Sequence, residues 1–162
     1  MRPYVDFSKR SLSRLETVVT PLRWVILEVA NVCPFDLTVL EGIRSAERQK
    51  ELYSKGRYGN PGPIVTHIDG VTNHSMHQDN GHGKSRAIDI APWPLDWDNK
   101  LAFHVMAGVI FSVCTSMYGT RENLRWGGDW NGNWDYRDQS FHDLPHFEWR
   151  EGTGELPHSK RP

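Results

Sequence analysis

The sequence predicts an α+β fold, in which a small, mostly antiparallel sheet packs against two to three helices in a single domain. Three observations support this class. One segment repeats apolar residues at helical spacing, and a second is long, apolar and free of acidic and basic side chains. Short stretches elsewhere alternate polar and apolar residues, as half-buried strands do.

The first two helices are indicated by the residues at their ends. Thr20 is the predicted N-cap of the first, with proline at the first helical position, and Pro34 ends that helix. Its apolar face consists of Leu22, Val25, Ile26, Val29 and Ala30. Ser45 is the predicted N-cap of the second helix, which stops at Lys55-Gly56.

A third helix is predicted over about residues 100–118, with Asp96 or Asp98 as its cap and Gly119 at its end. Residues 101–120 include no Asp, Glu, Lys or Arg, but they include several Ser, Thr and Gly. A membrane-spanning helix needs ~20 predominantly apolar residues. We therefore expect a central core helix, apolar nearly all round, and no membrane insertion.

Three stretches are expected to supply the strands. Leu37–Ile43 and Ala87–Ala91 are two of them, and residues 124–149 mix short strands with a Gly/Asn-rich loop. Residues 57–86 are rich in Gly, Asn, His and Pro and have little periodicity. A loop of this length inside a compact domain is usually functional or disordered.

Composition and charge restrict the function classes. The 162 residues carry a formal net charge of -1, so no basic field favours nucleic acid or an anionic membrane. Cys33 and Cys114 lie in apolar stretches, where buried free thiols are expected. No signal-peptide pattern is present, so we expect cytoplasmic synthesis. We expect a monomer with one domain over residues 1–162, a core at about 20–150 and a short polar C-terminal tail that includes His158.

Strand alternation places candidate metal ligands on one side of the predicted sheet. Asp89 lies between two isoleucines, and His146 and Glu148 alternate with aromatic residues, so the polar side chains face away from the apolar ones. A third ligand would come from the long loop, where His77 and His82 both remain candidates on spacing alone.

Two histidines and one carboxylate on zinc leave a coordination position open for water, as in hydrolytic sites. Zinc lowers the pKa of that water to about 7 and polarises a carbonyl group. A carboxylate must then accept the proton. Asp143 lies three residues before His146, with Pro145 stiffening the turn between them. These residues together predict a zinc hydrolase.

Four motifs and an upstream segment occur in order between about residues 20 and 149. They are Glu41-Gly-Ile-Arg44-Ser-Ala-Glu-Arg-Gln, Ser75-Met-His77-Gln, Ser85-Arg-Ala-Ile-Asp89-Ile-Ala-Pro-Trp, Arg125-Trp-Gly-Gly-Asp-Trp and Asp143-Leu-Pro-His146-Phe-Glu. The set resembles the zinc peptidases of peptidoglycan, the family of D-alanyl-D-alanine carboxypeptidases and phage L-alanyl-D-glutamate endopeptidases.

The resemblance implies that His77, Asp89 and His146 bind Zn²⁺. The family's common short motif is His-x6-Asp, whereas His77 and Asp89 are twelve positions apart. His82 mimics the short spacing, but His77 has the Ser-x-His context. Residues 79–83 are then expected to be a flexible insertion.

The resemblance also implies roles for residues around the metal. Asp143 would be the general base, Arg44 would bind the substrate and stabilise the oxyanion, and Ser75 would lie at the substrate groove. Lys84 and Arg86 are candidate partners for a D-Glu carboxylate of the substrate.

The implied function is hydrolysis of a stem-peptide amide of peptidoglycan, with the L-Ala–D-Glu bond favoured, for cell-wall degradation and host lysis by a bacteriophage. Access to the wall would require a holin-like pore or host rupture. Alternatives are a D-alanyl-D-alanine carboxypeptidase and a non-catalytic, zinc-stabilised module that binds cell-wall peptides in an aromatic groove. A metal nuclease is disfavoured by the near-neutral charge.

A calcium loop is a further alternative for residues 129–138. Asp129, Asn131, Asn133 and Asp135 place oxygen side chains at alternate positions. The segment lacks the glycine and glutamate of an EF-hand at the sixth and twelfth positions. A solvated Asn/Gly turn is therefore the favoured interpretation.

Overall fold

The computed structural model describes residues 7–150, and the predicted polar tail with His158 lies outside them. The elements are α1 (Lys9–Leu15), α2 (Thr20–Val32), β1 (Asp36–Glu41), α3 (Ala46–Ser54), β2 (Ala87–Trp93), α4 (Lys100–Tyr118), β3 (Leu124–Gly127) and β4 (Asp143–Trp149). The strands form one antiparallel sheet in the order β1-β2-β4-β3. The predicted α+β class is confirmed.

Helices α2 and α4 pack against each other and against the sheet, and α1 packs against β1. The strand period explains which side chains meet them. Ile88 and Ile90 of β2 and Phe147 of β4 are fully buried in the core. Asp89 lies between the two isoleucines and His146 directly precedes Phe147, so both face the opposite side of the sheet. One side of the sheet is therefore the core, and the other carries the polar residues of the candidate site.

Two helix boundaries differ from the sequence prediction, and α1 was not predicted. Helix α2 begins at Thr20 itself, with Val19 as the N-cap, so Thr20 is not the cap. The cap of α4 is Asn99, whose side chain accepts a hydrogen bond from the N–H of Ala102, and not Asp96 or Asp98. Any short polar side chain caps a helix similarly, so sequence alone does not choose among neighbours.

Helix α4 is the one helix within residues 7–150 that is long and apolar enough to cross a membrane, by length and composition alone. Its buried residues, including Phe103, Met106 and Ile110, contact α2 and the sheet. Leu101 and Val105 are exposed. The helix is therefore part of the core, as predicted, but it is not central, because its outer face is exposed. It buries one face.

Strand pairing brings the polar residues into rows across the sheet. Glu41 of β1 is opposite Asp89, Asp89 is opposite His146, and Arg125 of β3 is opposite Glu148. Directly opposed side chains on one face have Cβ atoms about 4.5–5.5 Å apart. Residues remote in sequence thus become neighbours on the open face.

An irregularity between β3 and β4 positions the start of β4. The register shifts after Trp126, so that Gly127 pairs with Asp143. A Cβ atom on Gly127 would lie 2.9 Å from the Cβ of Asp143 and would overlap its carbonyl oxygen. Glycine at this position therefore permits the close approach that sets the position of Asp143.

Candidate active site

Three predicted ligands form a compact cluster. His77 Nε2 lies 3.1 Å from Asp89 Oδ1 and 3.1 Å from His146 Nδ1, and His146 Nδ1 lies 3.0 Å from Asp89 Oδ1. The histidines are buried, and Asp89 is partly buried. Each residue therefore contributes one donor atom to a nearly equilateral triangle.

The outer nitrogen of each imidazole is held by an acceptor. His77 Nδ1 donates to the carbonyl oxygen of Gly42 at 2.7 Å, and His146 Nε2 donates to Glu148 Oε1 at 3.0 Å. With its outer nitrogen protonated, each ring can offer the lone pair of its inner nitrogen to a cation beside the Asp89 carboxylate. Nitrogen and oxygen atoms this close repel one another unless a proton or a metal ion lies between them. Hydrogen bonding of the outer nitrogen is the usual arrangement of metal-binding histidines.

The dimensions of the cluster also fit zinc. Tetrahedral zinc with bonds of about 2.0–2.1 Å to nitrogen and oxygen has ligand atoms about 3.3 Å apart. The observed separations of 3.0–3.1 Å are only slightly shorter. Two histidines and one carboxylate on one side of an ion leave a position open for water. His77, Asp89 and His146 therefore fit a hydrolytic metal centre.

The long loop holds His77 through backbone contacts. The N–H of Arg44 donates to the His77 carbonyl at 2.8 Å, and the His77 N–H donates to Ser75 Oγ at 3.2 Å. His82 is exposed, and its N–H donates to Asn80 Oδ1. The structure thus brings His77 to Asp89 and His146, and leaves His82 outside the cluster.

The cluster is strongly polarised. Burial alone would raise the pKa of Asp89, but the charges of His77 and His146 and their hydrogen bonds hold it well below its usual range. Burial alone would lower the pKa of His146, but hydrogen bonds to Asp89 and Glu148 and the nearby carboxylate charges raise it to about 10. Two carboxylates therefore strongly favour positive charge at this position.

Asp143 lines the same groove as the cluster. Burial and the charge of Asp89 raise the pKa of Asp143 to about 6, although His146, His77 and Arg44 act in the opposite direction. A carboxylate with a pKa near neutrality can both accept and return a proton. The structure thus gives the predicted base a suitable environment.

Arg44 lines the groove with a side chain that is mostly buried. It donates to Glu41 through Nε at 2.8 Å and through Nη2, to Gln49 Oε1 at 2.8 Å, and to Asp89 Oδ2 at 3.3 Å. These contacts hold in place the Asp89 carboxylate, which is a predicted metal ligand. Ser75 lies at the groove, as expected, and its hydroxyl accepts from the His77 N–H. The substrate and oxyanion roles of the two residues stay predictions.

The cluster lies in a groove of about 990 Å³. Aromatic side chains on its wall are Trp97, Trp130 and Phe141. Four carboxylates and five arginines line the groove, and the arginines are Arg14, Arg44, Arg48, Arg125 and Arg150. Lys84 and Arg86 are not among the lining residues, which corrects their assignment. Lys84 donates to the Glu16 carbonyl, and Arg86 donates to the Trp149 carbonyl.

Sequence reasoning missed two supports. Fully buried Gln49 of α3 bonds Arg44 and, at 2.7 Å, the carbonyl of Ile68, and so joins α3, the loop and the site. Gln49 occurs in the upstream segment quoted above, which was the available signal. The Gly42 carbonyl has no sequence signal, because every residue carries one. Glu148, which the strand pattern places on the same face as His146, contacts His146.

Residues 129–138 form a turn closed by its own hydrogen bonds. Asp129 accepts from the N–H groups of Gly132 and Trp134, and Asp138 Oδ2 accepts from the amides of Asn131 and Asn133. Over residues 7–150, the one group of three His, Cys, Asp or Glu residues that could hold a metal is the cluster above. The contacts match the solvated turn.

Fold and site together define an α+β protein with a His-Asp-His cluster, suited to a metal ion, in an open groove beside an adjacent carboxylate. A family profile described as phage L-alanyl-D-glutamate peptidase matches residues 4–149. The chain belongs to this family, and it is an enzyme that hydrolyses peptidoglycan.

Two similar proteins illustrate the relationship. The L-alanyl-D-glutamate peptidase of Escherichia phage T5 is 28% identical over 137 residues, which are 82% of this chain and 87% of that protein. The crystal structure of the L-Ala D-Glu endopeptidase ChiX of Serratia marcescens aligns with a TM-score of 0.54 and 21% identity, over 90% of each chain. The latter likeness concerns the fold. The resemblance to peptidoglycan peptidases that the sequence motifs indicated is confirmed.

Proposed function

We propose that this chain is a zinc-dependent endopeptidase that cleaves the L-Ala–D-Glu bond of the peptidoglycan stem peptide. The observation that carries the proposal is the triangle of His77 Nε2, Asp89 Oδ1 and His146 Nδ1, with atoms 3.0–3.1 Å apart. The same groove contains Asp143, whose pKa is raised to about 6. The names of the family and of the phage T5 relative support the choice of bond.

Different residues would bind the metal, transfer the proton and stabilise the developing charge. His77, Asp89 and His146 would hold the ion, which when bound supplies Lewis acidity and lowers the pKa of water. Asp143 takes the proton of the attacking water and returns it to the leaving nitrogen. Arg44 keeps Asp89 in place and adds positive charge near the developing oxyanion.

The groove supports cleavage of an internal bond. A second cavity, described below, adjoins the groove at Trp97, Asp143 and Pro145, so space extends to both sides of the base. A carboxypeptidase needs room mainly on one side of the bond, because only one terminal residue of the substrate lies on the other side. The arginine excess in the groove also suits a substrate with free carboxylates, such as D-Glu.

The metal assignment is tested by a pair of histidine variants. His77→Ala should lose bound zinc and activity, whereas His82→Ala should retain both, because His82 is exposed and outside the cluster. Zinc content after dialysis is the measurement, with a chelator-treated wild type for comparison. Retained zinc in His77→Ala would refute the assignment.

The bond is tested with defined peptidoglycan and mass spectrometry. A new N-terminal D-Glu is expected, and a loss of one terminal D-Ala would instead show a carboxypeptidase. Asp143→Ala should bind zinc but release no fragments. Unchanged wall binding without any turnover in the wild type would favour the non-catalytic module.

The proposal extends to host lysis. Synthesis in the cytoplasm, followed by wall access through a holin-like pore, would suit a phage lytic enzyme. Expression in a bacterial host with and without a pore-forming partner tests it, with culture turbidity as the measurement. Lysis that is equally fast without the partner would contradict the need for a pore.

A further inference from the structure

A second cavity of about 480 Å³ continues the active-site groove beyond Asp143. The two share three wall residues, Trp97, Asp143 and Pro145. None of the five groove arginines lines the second cavity. Its wall is instead rich in aromatic side chains, so we call it the aromatic cavity. The binding surface therefore changes in chemical character on passing the base.

The aromatic rings of this cavity pack against other aromatic side chains. Trp97 stacks on Phe103, with ring centroids 5.8 Å apart and planes 11° apart, and Phe103 is buried in the core. Trp97 itself is 57% exposed. Tyr136 makes T-shaped contacts with the rings of His104 and Trp126, at centroid distances of 5.3 Å and 5.6 Å. The cavity thus presents aromatic surfaces that need little reorganisation to bind a ligand.

Polar groups surround the rings. Lys100 and the hydroxyl-bearing Tyr136 line the cavity with His142. The amide of Gln139 donates to His142 Nδ1 at 3.1 Å, so neutral His142 carries its hydrogen on Nε2 and can donate. An aromatic surface with a few surrounding donors suits a ligand that has apolar C–H faces and many oxygen acceptors.

A sugar ring has these properties. Its C–H bonds carry partial positive charge and pack on the negative face of an aromatic ring, while its hydroxyl and acetamido oxygens accept hydrogen bonds. In peptidoglycan, L-Ala is joined by an amide to the lactyl group of N-acetylmuramic acid, so this side of the scissile bond is uncharged. The other side begins with D-Glu and carries free carboxylates, which suit the arginine-lined groove.

We propose that the aromatic cavity binds the N-acetylmuramic acid residue that bears L-Ala, with Trp97 as its stacking surface. The proposal rests on the proposed cleavage at L-Ala–D-Glu. It makes the enzyme selective for stem peptides attached to glycan over free peptides of the same sequence. Trp97 is a specificity-determining residue, and the chemistry at Asp143 does not depend on its ring.

The first experiment compares two substrates. One is a disaccharide tetrapeptide, and the other is the same tetrapeptide with an N-acetyl group in place of the glycan. We expect wild-type kcat/KM to be roughly tenfold higher with the glycan, and Trp97→Ala to remove that difference. Trp93→Ala is the matched control, because Trp93 is 56% exposed and lines neither cavity. Tyr136→Phe, which keeps the ring, should reduce the difference partly.

The second experiment measures binding without turnover. N-acetylmuramyl-L-alanine has no scissile bond, and its titration should shift the NMR signal of the Trp97 indole. Trp97→Ala should weaken this binding, Trp93→Ala should retain it, and N-acetyl-L-alanine should bind far more weakly than the muramyl compound.

Several results would overturn the inference. Equal wild-type rates on the two substrates would do so, and so would equal losses on both in Trp97→Ala, which would place peptide rather than sugar in the cavity. A muramyl compound that leaves the Trp97 signal unchanged would also refute it. In each case wild-type cleavage at L-Ala–D-Glu would leave the proposed function intact, whereas failure to cut either substrate would refute that function itself.

Discussion

Glu148→Gln tests whether the carboxylate behind His146 tunes metal binding. Glu148 accepts from His146 Nε2 at 3.0 Å and pairs with Arg125 at 3.3 Å, and its side chain is 11% exposed. Glutamine keeps the shape and can still accept the hydrogen bond, but the bond is no longer charge-assisted. Hydrogen bonds to charged groups exceed neutral ones by about 1–1.5 kcal/mol. We therefore expect about tenfold weaker zinc binding, and up to about 100-fold for Glu148→Ala.

The assay is a titration of Zn²⁺ against a chromophoric chelator at pH 7. Glu51→Gln is the matched control, because Glu51 is 62% exposed and pairs with Arg48 on the surface. Its zinc affinity should equal that of the wild type. Thermal unfolding of the metal-free proteins separates a general loss of stability from a loss at the metal. An affinity of Glu148→Gln within about threefold of the wild type would refute the orienting role of the carboxylate.

Three further predictions concern the base, its position and the core. Gly127→Ala should retain zinc but lose about 100-fold in kcat, because the new methyl group displaces Asp143; unchanged turnover would contradict this. Asp143 must be ionised to accept a proton; its pKa is raised to about 6, and the bound cation that activity requires acts to lower it. Log kcat/KM should therefore fall with decreasing pH, with a midpoint at or below about 6, and a rate that stays constant to about pH 4 would disprove the assignment. Ile110→Ala in the core should cost about 2–5 kcal/mol in urea unfolding, whereas Leu101→Ala on the exposed side of α4 should change stability by less than about 0.5 kcal/mol.

Asp89 and His146 could be predicted from sequence because a strand has a strict two-residue period. Once the apolar residues face the core, their polar neighbours must face the other side, and antiparallel pairing brings them together. Helices α2, α3 and α4 were predictable for different reasons. Apolar residues at helical spacing indicate α2, the cap Ser45 indicates α3, and a long apolar stretch that ends at Gly119 indicates α4.

Loop residues follow no such period, which explains what sequence reasoning could not supply. His77 was identified from its Ser-x-His context rather than from its position, and the structure shows why the context matters: Ser75 accepts from the His77 N–H. Helix α1 is short and polar, and Leu15 is its buried apolar residue. Its sequence therefore has no apolar face from which a helix could be predicted. The Gly42 carbonyl acts through a tertiary contact that no local pattern encodes. Gln49 lies in the quoted upstream segment, but its role depends on its contact with Arg44, which that segment alone does not specify.

The turn over residues 79–83 is a position near the His-Asp-His cluster at which we expect the chain to tolerate inserted residues. Asp79 Oδ1 accepts from the N–H groups of Gly81 and Gly83, and Asn80 N–H donates to the Lys84 carbonyl, so the turn closes upon itself. Its neighbours on either side are anchored separately, by the Gly42 carbonyl and by the sheet. An affinity tag, a fluorophore or a whole wall-targeting module grafted into this turn should therefore leave the catalytic groove in place.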